Sequence, residues 1–267
     1  MTLAIHHALR TSERATQFKR ATHFIGRFQT APRLRPGCQP VFELLRQAGS
    51  LSYVEWNDGP AMLSVKDIVE MQIDCVARWH REPVDNPYAV DGMVSSLFAT
   101  ACQQHQFNYL LWHEEDIARS RDVTDAKIAE VKRNIDRFNQ ARNDWIEKID
   151  DWITANLEEN SIQSVDGAKL NTETPGSAMD RLSIMALRIY HLDEQLARQD
   201  IDQQHLEKVN MRLAICRLQQ KDLAKSLEEL LDDIYSGVKR HRTYRQMKMY
   251  NDPTLNPYLY GSLKFEV

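Results

Sequence analysis

Apolar residues recur every three or four positions between residues 65 and 235, which is the spacing of one face of an α-helix. The first such run begins after Ser64 and stops at Pro83, because proline lacks the N–H group that would continue a helix. This pattern predicts an amphipathic helix that buries one face. The apolar face consists of Val65, Ile68, Met71, Cys75 and Trp79.

Four longer helices are predicted downstream. Most of the nine prolines lie before residue 90 or after residue 250, so the middle of the 267-residue chain is largely free of helix breakers. Thr124 and Thr174 are suited to N-capping, and Pro175 stands at the favoured first helical position. We therefore expect an all-α fold. The predicted helices run from about Met93 to Ser120, Thr124 to Leu157, Pro175 to Gln199 and Ile201 to Tyr235.

The central region aligns with itself when His113 is placed on His191, a shift that we call the repeat offset. Residues 112–116 (WHEED) then match residues 190–194 (YHLDE), and the match continues without a gap through the following helix. Amphipathic helices share one period and can match by chance, but paired aromatic–His–x–acid units are harder to explain that way. We interpret the region as two copies of one helical hairpin in an up-down bundle. Residues 1–60 are predicted to form an N-terminal basic extension with short helices, and residues 61–267 the bundle domain with a basic C-terminal tail.

Charge and cysteine usage narrow the function classes. The net charge is −4, although residues 1–60 carry eight basic residues against four acidic ones and residues 239–248 carry five basic residues and no acidic one. This balance lacks the broad basic face of a nucleic-acid-binding protein. The four cysteines are scattered without a C-x-x-C pair, which argues against a zinc knuckle or a disulfide framework. No run of about 18 apolar residues and no secretory signal is present, so we expect a cytoplasmic protein without a membrane span.

The first helix of each predicted hairpin carries a histidine and an acid one turn apart. His113 with Asp116, and likewise His191 with Glu194, share one helical face. Carboxylate and histidine at this spacing bind divalent metals in di-metal helical bundles. The alternative is an ordinary surface ion pair, which is the more frequent arrangement. The candidate metal ligands are His113, Glu115, Asp116, His191, Asp193 and Glu194.

A second polar level is expected at the opposite end of the bundle. With a helical rise of about 1.5 Å per residue, Asp144 lies roughly 20 Å farther along the bundle axis than His113. One shared cluster is therefore not expected. The alternative for these charged residues is a structural ion-pair network, since buried charges must be paired. The candidate catalytic residues at this level are Asp144, Asp180, Asp222 and His105.

The predicted start of the fourth helix is suited to anion binding. Its free backbone N–H groups and the positive end of its dipole favour phosphate, and Arg181 is placed to add a forked guanidinium contact. The fifth helix ends on the same side and supplies basic residues. These bases can equally serve only to complement a helix dipole. The candidate anion-binding residues are Thr172, Thr174, Gly176, Arg181, Arg142, Lys239, Arg245 and Lys248.

Several motifs occur in a fixed order along the chain: residues 112–116, 142–144, 171–176, 180–184 and 246–253. Together they resemble the bacterial domain-of-unknown-function 4254 family over roughly residues 65 to 260. The resemblance implies a bacterial cytoplasmic protein, often encoded near glycosyltransferases of cell-surface glycan assembly. It implies no established activity and no catalytic residues.

Two functions of different classes are expected from these observations. The first is a metal-dependent enzyme that uses a divalent ion and acts on a phosphorylated small molecule or a nucleotide sugar, in cell-surface glycan synthesis. The second is a non-enzymatic binding or scaffold protein that partners a glycosyltransferase. Binding of single-stranded nucleic acid is disfavoured, because aromatic residues are not interleaved with the bases. Self-association is left open.

Overall fold

The computed structural model describes residues 64–89, 92, 94–248 and 254–255. The predicted all-α fold is confirmed over this part of the chain, whereas the predicted N-terminal extension lies outside the described residues. The helices are α1 Val65–Trp79, α2 Leu97–Arg119, α3 Asp125–Glu159, α4 Pro175–Ala197 and α5 Gln203–Tyr235, and the short strands are β1 Lys169–Leu170 and β2 Lys239–Arg240.

Each described helix begins at a residue whose side-chain oxygen accepts an N–H bond from the first turn. The predicted caps Thr124 and Thr174 are confirmed, and Pro175 occupies the first turn of α4. The start predicted near Met93 is too early, because Ser96 supplies the cap of α2. The five N-caps are Ser64, Ser96, Thr124, Thr174 and Asp202.

Helix α4 is the centre of the bundle. It packs along α5 and also contacts α1, α2 and α3, while α2 packs along α3. Residues 120–124 join α2 to α3 and residues 198–202 join α4 to α5, and connections this short between packed helices make each pair antiparallel. Because α4 is surrounded, it is buried on several sides. Its core residues include Met179, Leu182, Ala186 and Leu187.

Helices α2 and α4 run side by side in the same direction. His105 contacts Ser183 at 2.6 Å, and two helical turns farther along both helices the ring of His113 lies 5.6 Å from that of His191. Between these two contacts both helices advance by the same number of residues in the same direction, which shows that they run parallel. The described helices α2 to α5 therefore alternate in direction, as predicted for an up-down bundle.

Helices α2 and α4 are related by the repeat offset at both of their ends, and so are the N-caps Ser96 and Thr174. The starts of α3 and α5 are separated by the same number of positions. The helix boundaries of the two hairpins are therefore related by the same repeat offset as their sequences. Duplication of one ancestral hairpin stays a prediction.

The start of α4 approaches α3 too closely for any side chain at Gly176. A Cβ atom at this position would lie 2.6 Å from the carbonyl oxygen of Ile146 and 3.0 Å from Asp150 Oδ1. The N–H of Gly176 donates to the same Asp150 oxygen at 2.8 Å. Glycine is thus required here by packing between helices rather than by backbone conformation.

The loops that follow α3 and α5 meet at one end of the bundle. Strand β1 pairs in parallel with β2, an element that the helical pattern did not predict. The segment after β2 then lies along α3, where His241 Nε2 contacts the carbonyl oxygen of Asp150 at 3.0 Å and Arg245 pairs with Asp151 at 2.7 Å. No helix in the described ranges is long and apolar enough to cross a membrane.

We expect Gly176→Ala to lower the free energy of unfolding by about 1–3 kcal/mol, as overpacking does. The sign of this change is informative, because replacing glycine by alanine within a helix is otherwise stabilising. Urea denaturation followed by circular dichroism measures the change. Arg181→Ala, an exposed site in the same helix, is the control and should change stability little. A stabilised Gly176→Ala protein would show that the approach of α3 and α4 is looser than described.

Candidate metal centre

Three histidines from three helical segments converge beside the core. His80 is the C-cap of α1, His113 lies in α2 and His191 lies in α4. One ring nitrogen of each lies within 4.8 Å of those of the other two. The ring centroids form a nearly regular triangle with sides of 5.2, 5.1 and 5.6 Å. This is the one such group of possible metal ligands found among the described residues.

The end of α1 is fixed against α2 next to the cluster. The hydroxyl of Tyr109 donates to the carbonyl oxygen of Trp79 at 3.0 Å, which anchors the residue before His80. The Trp79 indole N–H in turn donates to the carbonyl oxygen of Asp85 at 2.9 Å. These bonds hold the last turn of α1 and therefore the backbone of His80.

Aromatic rings surround the three imidazoles. Tyr190 stacks on His80 at 4.3 Å, and Trp112 stacks on His191 at 5.0 Å with only 12° between the ring planes. Tyr109 packs edge-on against His113 at 4.4 Å. Such contacts restrict rotation of each imidazole and keep the rings at steep angles to one another.

Hydrogen bonds fix which nitrogen is free on two of the rings. His80 Nδ1 lies 2.7 Å from the carbonyl oxygen of Val76, which can only accept, so Nδ1 carries the proton. His191 Nδ1 lies 2.7 Å from Glu194 Oε2 and donates to this carboxylate in the same way. In the neutral rings the lone pair then resides on Nε2.

The Nε2 atoms of all three histidines are buried and have no hydrogen-bond partner among the described residues. Buried polar atoms are normally paired, and an unpaired one costs free energy. Three unpaired ring nitrogens at one place therefore need a common explanation. A cation that accepts their lone pairs supplies one.

Burial keeps two of these rings neutral. It lowers the pKa of His80 to about 4 and that of His113 to about 3, and the neighbouring imidazoles add to both effects. The bond from His80 to Val76 opposes the shift in the pKa of His80 without reversing it. Neutral imidazole is the form that binds metals. Both rings are thus ready as ligands at neutral pH.

The donor set fits a transition-metal ion. Imidazole nitrogen binds Zn²⁺ at about 2.0–2.1 Å, which places tetrahedral ligands about 3.3 Å apart. The three nitrogens lie within 4.8 Å of one another and would close to this spacing around the ion. Glu194 behind His191 and the Val76 carbonyl behind His80 match the outer partners that orient metal-bound histidines. Three protein ligands would leave a fourth position for water or substrate.

A family model described as a protein of unknown function, DUF4254, matches residues 99–243, more than half of the chain. The chain belongs to the DUF4254 family. The match confirms the resemblance, over a shorter range than the expected residues 65 to 260. No curated protein and no solved structure matches the chain. Within this DUF4254 protein, His113 and His191 lie inside the matched segment and His80 lies outside it.

The predicted metal ligands separate into two groups. His113 and His191 come together, and Glu194 contacts His191 as its hydrogen-bond acceptor. The other acids pair with arginines: Arg119 lies 2.9 Å from Glu115 and 3.9 Å from Asp116, and Arg217 lies 3.2 Å from Asp193. The DUF4254 chain thus assembles a histidine-rich group rather than a carboxylate-rich one.

His80 was missed by sequence reasoning. It lies at the end of α1, before the first hairpin, so the self-alignment of the two hairpins cannot point to it. The sequence around His80 gives only a weak indication that it lies near the core, since it follows Trp79 at the end of an amphipathic run. Only the packing of α1 against α2 and α4 brings His80 to the other two histidines.

The candidate catalytic acids are not brought together. Asp180 is buried, accepts from Gln104 Nε2 at 2.6 Å and Asn108 Nδ2 at 2.9 Å, and lies 3.1 Å from Arg142 Nε in an ion pair that lacks hydrogen-bond alignment. Burial raises the pKa of the Asp180 carboxyl, opposed by Arg142 and the two amides. The other two acids are exposed. They are Asp144 on α3 and Asp222 on α5.

His105 is fully buried and holds helices together. Its Nε2 donates to the carbonyl oxygen of Gln72 in α1 at 2.9 Å, so its Nδ1 accepts from the hydroxyl of Ser183 in α4 at 2.6 Å. Asn108 Nδ2 donates to Ser183 Oγ at 2.8 Å. A side chain with both nitrogens engaged and no exposed surface has no access to substrate. We interpret His105 as a structural residue.

The donors predicted to bind an anion are mostly engaged within the chain. The N–H of Gly176 donates to Asp150, and Thr174 Oγ1 accepts from the N–H of Ser177 as the N-cap. Lys239 lies 3.1 Å from Asp233. Arg142 pairs with Asp180, and Arg245 pairs with Glu147 and Asp151. Of the remaining candidates, Thr172 and Arg181 are exposed and Lys248 is half-buried. This geometry gives no support to an anion pocket at the start of α4.

Burial also makes the stability of this DUF4254 protein depend on pH through His105, whose pKa it lowers to about 3. The unfolded chain takes up a proton at this side chain near pH 6.5 and the folded chain does not. Stability is therefore full above about pH 6.5 and falls as the pH drops from there towards about 3. The slope from one such group reaches about 1.4 kcal/mol per pH unit.

We expect His105→Gln to flatten this dependence, whatever its effect on stability at neutral pH. Urea titrations at several pH values between about 7.5 and about 4.5, in the presence of a chelator, measure the slope. His205→Gln, which changes a histidine of α5 outside the contacts between α1, α2 and α4, is the matched control. An unchanged slope in His105→Gln would contradict the assignment of a neutral, inaccessible His105.

Proposed function

We propose that this protein is a metal-dependent enzyme whose metal ion is held by His80, His113 and His191. The observation that carries the proposal is the convergence of three imidazoles, each of which offers a ring nitrogen within 4.8 Å of those of the other two and has a buried Nε2 atom without a hydrogen-bond partner. Each comes from a different helical segment, so local helical spacing does not explain it. The outer partners of His80 and His191 add support.

Such a centre is suited to hydrolysis. A divalent ion with an open position lowers the pKa of bound water to about 7 and so supplies hydroxide at neutral pH. With a metal held by the three histidines, water activated in this way would attack the phosphorus of a phosphate monoester, the bond from phosphorus to the ester oxygen would break, and the leaving alcohol would take up a proton. The products are an alcohol and inorganic phosphate.

Asp116 is the group that we assign to proton transfer in this reaction. Although 62% of its side chain is exposed, partial desolvation raises the pKa of its carboxyl, while His191 and Arg119 oppose the shift, so Asp116 lies within the electrostatic reach of the cluster. A carboxyl group with a raised pKa is suited to general acid–base work. We propose that Asp116 would accept a proton from the attacking water and return it to the leaving group.

The substrate class that we propose is a phosphorylated small molecule or a nucleotide sugar used in cell-surface glycan synthesis. It follows from the chemistry of such a centre and from the genomic setting that the family resemblance implies. Because Gly176, Lys239 and Arg245 have partners inside the chain, the metal is the better candidate to bind the phosphate oxygens.

Metal analysis of the purified full-length protein tests the first part. We expect one equivalent of Zn²⁺ or Co²⁺ per chain and a higher melting temperature with metal than with chelator. His80→Ala, His113→Ala and His191→Ala should each weaken binding by about 100-fold or more, because each removes a direct ligand. His205→Ala, a histidine outside the cluster, should bind normally. Absence of binding in the wild type would remove the metal centre from the proposal.

Phosphate release from sugar phosphates, and release of a nucleoside monophosphate with a sugar phosphate from nucleotide sugars, test the second part. We expect turnover that requires the metal, disappears in His113→Ala and falls strongly in Asp116→Asn, in which metal binding is retained. A protein that binds metal with the predicted ligand dependence but hydrolyses none of these compounds would leave the centre in place and contradict the substrate class.

Glu194 should act on the metal through His191 rather than as a ligand. We expect Glu194→Gln to weaken metal affinity about 10- to 100-fold, since loss of an outer carboxylate lowers the basicity and order of the histidine. Competition with a chromophoric chelator measures the affinity. Glu115→Gln, which removes an exposed acid paired with Arg119, is the control. Equal affinities of the two variants would contradict the orienting role of Glu194.

The alternative function is a non-enzymatic scaffold that partners a glycosyltransferase. It is favoured by apolar side chains that are exposed around the paired strands, where the N–H of Val165 donates to the carbonyl oxygen of Gly237 and brings Val165 near Val238. On this alternative, Val165→Asp and Val238→Asp should abolish binding of a glycosyltransferase partner, whereas His113→Ala should not. The reverse pattern would favour the enzyme.

A further inference from the structure

Helix α5 carries an apolar stripe on its outer side. Met211, Ile215 and Leu218 stand four and three residues apart and thus share one helical face. Their side chains are 58, 48 and 59% exposed. The inner face of the same helix segment is filled separately, since Leu213 and Cys216 pack in a buried cluster with residues of α4. The α5 stripe is therefore additional to what the bundle needs.

The corresponding face of helix α3 is polar. At the repeat offset, the positions of Met211, Ile215 and Leu218 correspond to polar residues of α3. Large apolar side chains that cluster on an exposed helical face are typical of an interaction surface, whereas single ones are ordinary. The corresponding α3 residues are Arg133, Arg137 and Gln140.

Opposite charges stand at the two ends of the α5 stripe. Lys208 lies one turn before Met211 and Asp222 one turn after Leu218, and both are exposed on the same face. Each lies two turns from Ile215. The two charged residues are thus equally spaced from Ile215, with the positive charge on one side and the negative charge on the other.

This pattern is self-complementary in one orientation. If two copies of α5 cross antiparallel at Ile215, Lys208 of each copy meets Asp222 of the partner subunit, and the apolar residues meet between these pairs. A parallel crossing would instead bring like charges together at both ends. Two-fold symmetry uses one surface twice, as most homodimers do.

We propose that the α5 stripe is the two-fold interface of a homodimer, with antiparallel α5 helices crossing at Ile215. Ile215 then contacts its own copy, and Met211 packs near Leu218 of the partner subunit. The apolar centre supplies most of the binding and the two Lys208–Asp222 pairs set direction and register. The assignment does not depend on the metal centre, which is built from α1, α2 and α4.

Sedimentation of the full-length chain over a range of concentrations tests the assembly. We expect a dimer in the wild type and a dissociation constant at least about tenfold higher in Ile215→Glu, because a carboxylate would be buried at the crossing point. Arg137→Glu, at the corresponding position of α3, is the matched control and should remain dimeric. Circular dichroism checks that each exposed-site variant is folded. A monomeric wild type, or a dimer unaffected by Ile215→Glu, would overturn the proposal.

Charge reversal tests the register. Lys208→Glu and Asp222→Lys alone should each weaken the dimer by about tenfold, since each turns both attractive pairs into repulsive ones. The double variant restores opposite charges and should dimerise like the wild type. Failure of the double variant to recover would overturn the antiparallel crossing at Ile215, because no other register pairs these two residues at both ends.

Discussion

The arrangement of this protein depends on a buried polar junction between α2 and α4. His105 and Asn108 of α2 bond to Ser183, Asn108 also donates to Asp180, and His105 reaches the backbone of Gln72 in α1. Apolar packing alone tolerates sliding of one helix past another, whereas these bonds have specific lengths and directions. A shift of one turn would leave several buried polar groups without partners. The junction therefore fixes how far α2 and α4 extend past one another.

That register decides where the histidines lie. His113 and His191 each follow the junction by two turns, so parallel helices carry them about 12 Å farther along and still side by side. The same junction draws α1 inward through Gln72, which brings the end of α1 and His80 to the cluster. A polar contact remote from the three imidazoles thus sets their mutual distances.

The sequence was sufficient to predict the features that depend on local patterns of residues. Thr124, Thr174 and Pro175 mark helix starts by their own chemistry, and His113 and His191 were expected together because one offset relates them. Long-range pairing was less accessible. Spacing does not show that Arg119 pairs with Glu115, or that Asp150 reaches the N–H of Gly176 and takes the place expected for an external anion. His80 was missed for the same reason, since its position depends on how α1 packs.

Long stretches of chain separate the three histidines, from His80 to His113 and again from His113 to His191. A single ion that joined them would act as a cross-link and close two long loops. Such closure removes conformational entropy mainly from the unfolded chain, and the gain grows slowly with loop length. The ion would also fasten α1, which precedes both hairpins, to each of them. The stability of the fold and the chemistry of the metal centre would then depend on the same three nitrogen atoms.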